Sequence, residues 1–425
     1  MLVAVAGGAA TVLSQRPEGQ PAAAAEASPF EQARRTGVQD LLNRWAKAVR
    51  SGDDAALVGL FDAGAAPEFL AAEVRRSRNL AGVPLADWGY EIGSGPETPV
   101  PSDIADRLQA TDVWAPHVFL RYGIAGADTA STRKPVSLVV ARRGDEWKLV
   151  SDGALPQYDR STWRGPWDFG PVVARTVETD GGVSVVLGHP WQQARVDAIA
   201  AELVTAVPAV TEVWGTQWPR RALVIVAADQ EEFTQQVGEE HSGSDIAAVS
   251  ISDAVVPGAT TVTGQRIVFS PTAGERLTEA SRRAVLRHEL THVAARATTV
   301  DGSPMWVLEG FADYVGHRGS GATVPQIAPT VSAAVAVHGP PVRLPSDADF
   351  AAGGERSLAA YESAWTVAEF VADRFGEDEL RSLYGELATG PADDATIDDR
   401  VRSAIGVPTQ ELIGQWGTWL ADNVR

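Results

Sequence analysis

Histidine is scarce in this 425-residue chain, yet two of its seven copies stand four residues apart around a glutamate, in His288-Glu289-Leu290-Thr291-His292. On a helix, residues four apart lie nearly above one another, so both imidazoles can grip one ion from the same face. Glu289 is rotated by about 100° from His288. That turn sets its carboxylate beside the open coordination position, where a water would sit. Two neutral imidazole ligands and a non-ligating carboxylate are the parts of a zinc-centred hydrolysis, with Glu289 as general base. Cysteine is absent. Thiolate zinc sites, a cysteine nucleophile and disulfides are therefore excluded, and any metal must be held by His, Asp or Glu.

A third ligand can come from downstream. Asp301-Gly302-Ser303-Pro304 reads as a turn, and a helical pattern restarts in Met305-Trp306-Val307-Leu308-Glu309-Gly310-Phe311-Ala312-Asp313-Tyr314. If that helix packs antiparallel on the first, Glu309 falls over the histidine pair. Asp313, one turn further on the same face, can accept the free ring N–H of a metal-bound His and fix its tautomer. The plain alternatives are a surface histidine pair and a solvated acidic pair. Trp306, Leu308 and Phe311 around Glu309 argue against the second.

These side chains need rigid elements behind them. Residues 278–297 contain no Gly or Pro, begin with Thr278-Glu279, and place Leu286, Leu290 and Val293 inward. Upstream, strands at 172–177 and 183–187 flank Thr179-Asp180-Gly181-Gly182, a hairpin signal. A helix over 192–207, a buried strand over 222–227, a short helix over 230–237 and a strand over 266–270 follow. Downstream, a helix runs from Tyr361 through Phe375, with closing helices over 380–387 and 409–420.

The His288 to His292 segment, together with Trp306, Glu309, Gly310, Ala312 and Tyr314, resembles the gluzincin metallopeptidases, the clan of thermolysin and the aminopeptidase-type enzymes. Within that clan it is most similar to the bacterial peptidase MA-like group. The resemblance spans residues 170–425 and is strongest over 278–315. It implies Zn2+ as cofactor, His288, His292 and Glu309 as ligands, Glu289 as catalytic base and a peptide or protein as substrate. It also implies that strand 266–270 is the sheet edge onto which substrate adds. The related peptidases often carry a Tyr-x-x-Ala helix after the site, which makes Tyr361 the candidate donor to a tetrahedral oxyanion. The spacer 293–308 is shorter than in aminopeptidases, and the signature that binds a free N-terminus is not evident.

The first part of the chain reads differently. Helical periodicity over 30–49, a short helix with Leu57 and Leu60, and a helix over 67–80 precede strands at 90–92, 113–122, 136–141 and 147–150. That order resembles the nuclear-transport-factor-2-like cone fold, which assigns no function. The expected architecture is therefore α+β: a signal or anchor remnant and linker over 1–28, a cone-shaped α+β domain over 29–165, and a zincin-type domain over 166–425. The latter should have a mixed sheet and a mainly helical C-terminal part.

Net charge is -19, from 55 acidic and 36 basic side chains. With no Lys/Arg-rich block, this field disfavours nucleic acid. Residues 1–13 are small and apolar, too short to span a bilayer, and resemble the apolar part of a signal peptide or membrane anchor. They point to an extracytoplasmic location. Nothing in the sequence bears on oligomeric state. Three readings stay open: a zinc metallopeptidase, a non-catalytic exported binding or assembly protein on a peptidase scaffold, and a zinc hydrolase of a non-peptide amide.

Overall fold

The computed structural model describes residues 28–424 apart from 96–97, 242, 244–245, 256–260 and 273–275. The 1–13 segment and nearly all of the 14–28 linker lie outside the described residues. The chain is α+β and divides into two compact units, residues 28–174 with 187–193, and residues 175–186 with 194–424.

The first unit opens with α1 (Pro29–Ser51), α2 (Asp54–Leu60) and α3 (Pro67–Asn79). Ser28 starts α1 through a capping box with Glu31, which satisfies two orphan N–H groups. β1 (Leu85–Ile92), α4 (Ser102–Leu108), β2 (Asp112–Trp114), β3 (His117–Ile124), β4 (Thr132–Ser137), β5 (Val139–Arg143) and β6 (Glu146–Ser151) complete it, with the single-turn α5 (Pro166–Phe169). The strands form two sheets, β1-β3-β4 and β2-β5-β6. The continuous strands expected over 113–122 and 136–141 are thus each split between sheets. The first breaks at Ala115-Pro116, where proline has no N–H to give a ladder. The second breaks at Leu138. Helix α4 carries no strong periodicity and was not expected.

α1 and α3 bury a charged knot in this unit. Trp45 donates its indole N–H to Glu73 at 2.7 Å, and Arg76 joins Glu73 to Asp168, donating to the latter at 2.7 Å. Two carboxylates share one guanidinium, and Asp152 adds a further negative charge. Burial therefore pushes the Glu73 carboxyl up to about 7, against the pull of Arg76.

The second unit carries the mixed sheet. β7 (Val173–Thr179) and β8 (Gly182–Gly188) form the hairpin, followed by α6 (Gln193–Trp214), β9 (Leu223–Val226), α7 (Gln230–Val237), β10 (Ala248–Ile251) and β11 (Arg266–Phe269). Sheet order is β10-β11-β9-β8-β7, with β11 parallel to β9 and antiparallel to β10. α6 runs seven residues beyond the expected end, through Pro208. The carbonyl that Pro208 leaves unpaired belongs to Val204, a half-exposed residue on the outer face of the helix.

The remainder is helical: α8 (Glu279–Ala295), α9 (Met305–His317), α10 (Val324–Ile327), α11 (Pro329–His338), α12 (Asp347–Phe350), α13 (Gly354–Arg374), α14 (Glu377–Leu387), α15 (Asp394–Ile405) and α16 (Thr409–Asn423). Thr278 caps α8 by accepting from the Ser281 N–H at 3.2 Å. Val285, Leu286, Leu290 and Val293 of α8 join Trp306, Leu308, Phe311 and Val315 of α9 in the largest apolar cluster.

The knot around Glu73 makes the protein's stability pH-dependent in a defined sense. The folded carboxyl keeps its proton up to about 7, whereas an unperturbed one near 4.5 has lost it. This group therefore contributes most below the lower value, and its contribution falls as pH rises through the interval. Chemical denaturation at about pH 5 and about pH 7 should show a smaller loss of stability in Glu73→Gln than in wild type. Equal losses in the two proteins would count against a protonated Glu73.

Candidate metal centre

α8 and α9 lie side by side, and the side chains singled out in the sequence meet between them. Nε2 of His288 and Nε2 of His292 are 3.1 Å apart. Oε2 of Glu309 lies 3.3 Å from the first and 3.7 Å from the second. These residues form a cluster able to hold one metal ion. A tetrahedral ion with ligand bonds near 2.1 Å sets its ligand atoms about 3.4 Å apart. The three separations bracket that value.

Protonation fits the same reading. His288 presents Nδ1 to Oδ1 of Asp313 at 2.7 Å. Asp313 thus holds one ring proton on Nδ1 and aims Nε2 at the other two ligand atoms, where a cation would take the place of the second proton. Burial works against protonating His288, but the Asp313 charge and hydrogen bond outweigh it and raise the imidazole well above its ordinary value. Burial would likewise raise Glu309. The facing imidazoles instead hold that carboxyl down at about 2, so it is an anion ready to ligate.

Glu289 is buried on the adjoining face of α8, 1% exposed. Burial pushes its carboxyl up, despite the nearby imidazoles of His288 and His292. Among the described residues, neither its oxygens nor those of Glu309 make a hydrogen bond of good geometry. Two buried carboxylates converging with two imidazole nitrogens form a donor set that a divalent cation would complete, displacing the ring protons.

The helices can approach this closely because α9 carries glycines inside it. A Cβ on Gly316 would sit 2.8 Å from the carbonyl oxygen of Ala284 on α8, and one on Gly310 would run into the carbonyl oxygen of Ala364 on α13. Each glycine weakens an isolated helix by about 1 kcal/mol. Both occupy places where no side chain fits.

A cleft of about 370 Å3 lies beside the cluster, lined by Ser250, Ser252, His292, Arg296, Leu308 and Tyr384 among others. Ser250 belongs to β10. The sheet edge is therefore β10, and the expectation that strand 266–270 forms it is corrected: β11 is internal, hydrogen-bonded on both sides. The 248–251 run is only four residues long between loops, too short for its period to stand out. Arg296 and Tyr384 also escaped the sequence reading, since neither has a motif partner. Arg296 donates to Ser252 Oγ at 3.3 Å, to the Thr299 carbonyl at 2.6 Å and to Asp301 at 3.0 Å. Tyr361 is buried in the apolar cluster, its ring edge-on to Phe350 at 5.0 Å.

No protein-family model matches the sequence, and no curated protein is significantly similar to it. Among solved structures, similar ones include the M1 zinc metallopeptidase from Deinococcus radiodurans, at 14% identity and a TM-score of 0.37, covering 69% of this chain and 60% of that one. A point mutant of that peptidase, bound to a Tyr-Ser-Ala substrate, matches at 13% identity and a TM-score of 0.34, over 72% of this chain and 60% of that one. Aminopeptidase A of Legionella pneumophila in complex with aspartic acid matches at 12% identity and a TM-score of 0.35, over 58% and 28%. The chain spans 60% or less of the length of these solved proteins. Likeness this distant carries no detail of the site or its reaction.

Two substitutions probe the centre. Asp313→Ala removes the acceptor that fixes the His288 tautomer, and zinc affinity measured by chelator competition should fall by about 10- to 100-fold. Gly310→Ala should destabilise the chain by about 1–3 kcal/mol through overpacking against α13, read as a lower thermal midpoint. An unshifted midpoint would show that α9 and α13 have room to move apart.

Proposed function

We propose that this protein is a zinc-dependent metallopeptidase. One observation carries the reading: two imidazole nitrogens and a carboxylate oxygen converge at tetrahedral spacing next to a second buried carboxylate, Glu289, whose oxygens are unsatisfied. His288, His292 and Glu309 would hold the ion, with Asp313 orienting His288. When bound, zinc supplies Lewis-acid chemistry, making a water acidic near neutral pH and polarising the scissile carbonyl.

The chain's own residues do the rest. Glu289 accepts the proton of the attacking water at its carboxylate as the water oxygen bonds to the carbonyl carbon. It then gives that proton to the amine nitrogen as the carbon–nitrogen bond breaks. The raised affinity of this buried carboxyl for a proton suits both halves of the transfer. Tyr361 is our candidate to donate a hydrogen bond to the oxyanion. A peptide would occupy the cleft beside His292, alongside the β10 edge.

The apolar 1–13 segment supports placing the protein outside the cytoplasm, secreted or anchored at a membrane. Among the described residues no helix is long and apolar enough to cross one. A nuclear-transport-factor-2-like module over 29–165 ahead of a peptidase domain over 166–425 is the domain organisation we favour.

The test pairs metal analysis of the full chain with an unbiased peptide-cleavage profile of wild type and Glu289→Gln. Both proteins should carry one zinc, and cleavage should fall by about 10²- to 10⁴-fold in the variant. A zinc-loaded Glu289→Gln protein that cleaves like wild type would overturn the mechanism. Zinc binding without cleavage of any peptide by wild type would overturn the substrate class, and profiling against muropeptides would then examine the non-peptide amide.

A further inference from the structure

A second cavity, of about 580 Å3, is bounded by the first turns of α8, the end of α9 and the start of α10. It shares no lining residue with the cleft beside His292. Three of its walls are arginines, Arg283, Arg287 and Arg318, and among the described residues that line it none is acidic. In a chain of net charge -19, this is a concentration of the minority charge.

The three arginines are not equivalent. Arg283 pairs with Glu202 at 2.9 Å and Glu279 at 3.0 Å. Arg318 pairs with Glu377 and, at 3.2 Å, with Glu212. Among the described residues Arg287 has no carboxylate partner. Its one hydrogen bond goes from Nη1 to the Arg318 carbonyl at a long 3.3 Å, and its Nε is buried without a partner. A partly desolvated guanidinium lining a cavity in this way favours an anion beside it, because pairing offsets the cost of desolvating charge.

We propose that this cavity binds a small organic oxyanion, a carboxylate or phosphate on an uncharged body, with Arg287 as the residue that meets its charge. The planar guanidinium offers two parallel N–H groups to such a head. Gln326 adds a donor: its Oε1 accepts from the Thr323 N–H at 2.8 Å, which leaves the NH2 group for a ligand. The volume sets the ligand's size. It lies within the range of about 300–1,000 Å3 typical of small-molecule sites, well beyond a bare ion. Ala280, Ala284, Ala322 and Ile327 give the body apolar walls. This assignment stands whether or not the neighbouring metal centre hydrolyses peptides.

The experiment is calorimetric titration of the zinc-loaded full chain with phenyl phosphate, benzoate and uncharged benzyl alcohol. One or both anions should bind with one-to-one stoichiometry and the alcohol should not; the tighter anion identifies the head group. Arg287→Met should weaken that binding about tenfold or more, the loss of one charge-assisted contact. Arg287→Met could disturb α8, so Gln326→Glu is the companion variant. It keeps the acceptor that caps α10 and adds a negative charge to the cavity wall, and it should weaken the same binding. Absence of saturable anion binding overturns the proposal. So does wild-type affinity in Gln326→Glu, which would mean that the anion sits elsewhere, at the zinc for example.

Discussion

Two imidazoles and two carboxylates are buried between helices α8 and α9, and this burial constrains the rest of the second unit. An ionised carboxylate deprived of water must find donors or a cation, or take up a proton. Glu309 does not take the proton, because two ring nitrogens face it and hold its carboxyl down at about 2. The arrangement persists only if the helices stay close enough for all the ligand atoms to share one point. That closeness is set by backbone rather than by side chains: Gly316 rides against the Ala284 carbonyl, and Gly310 against Ala364 of α13. α9 is clamped on both sides, and Glu309 and Asp313 sit on the clamped segment.

Different neighbours then do different work around the cluster. Asp313 acts on the far side of His288, fixing which nitrogen carries the proton. His292 borders the cleft. There Arg296, one turn further along α8, ties three chain segments together: the end of β10 through Ser252, its own following turn through Thr299, and the loop before α9 through Asp301. One guanidinium thus fixes the sheet edge relative to the metal-binding helix. The width of the cleft beside His292 depends on it. Arg296 is consequently a structural part of the cleft even though it touches no ligand atom of the cluster.

The cluster was legible in the sequence because its geometry is local. A four-residue spacing on a Gly- and Pro-free helix guarantees that two histidines share a face, and the short turn at 301–304 leaves the next helix little choice but to fold back. What lies far apart in the chain was not legible. β10 is four residues long, and its pairing with β11 spans a long loop, so no periodicity announces an edge strand there. Tyr384 reaches the cleft from a helix some ninety residues past His292, brought there by the packing of α14 on α9. In the first unit, α1, α2 and α3 followed apolar periodicity closely. The strands did not, because Pro116 and the step at Leu138 move the chain from one sheet to the other without altering its alternating pattern.

α8 connects the two sites described above by its own period. Ala284, His288 and His292 recur every four residues along one line of the helix, and Arg283, Arg287 and Thr291 along the adjacent line, one residue behind. The first line faces α9 and the metal cluster. The second borders the cavity at the helix's N-terminal half. Arg287 and His288 are consecutive residues of α8. His288 is in turn tied to α9 through Asp313, and the end of α9 supplies Arg318 to the same cavity. An anion seated there would bear on both helices that make the metal cluster, without entering the cleft that His292 lines.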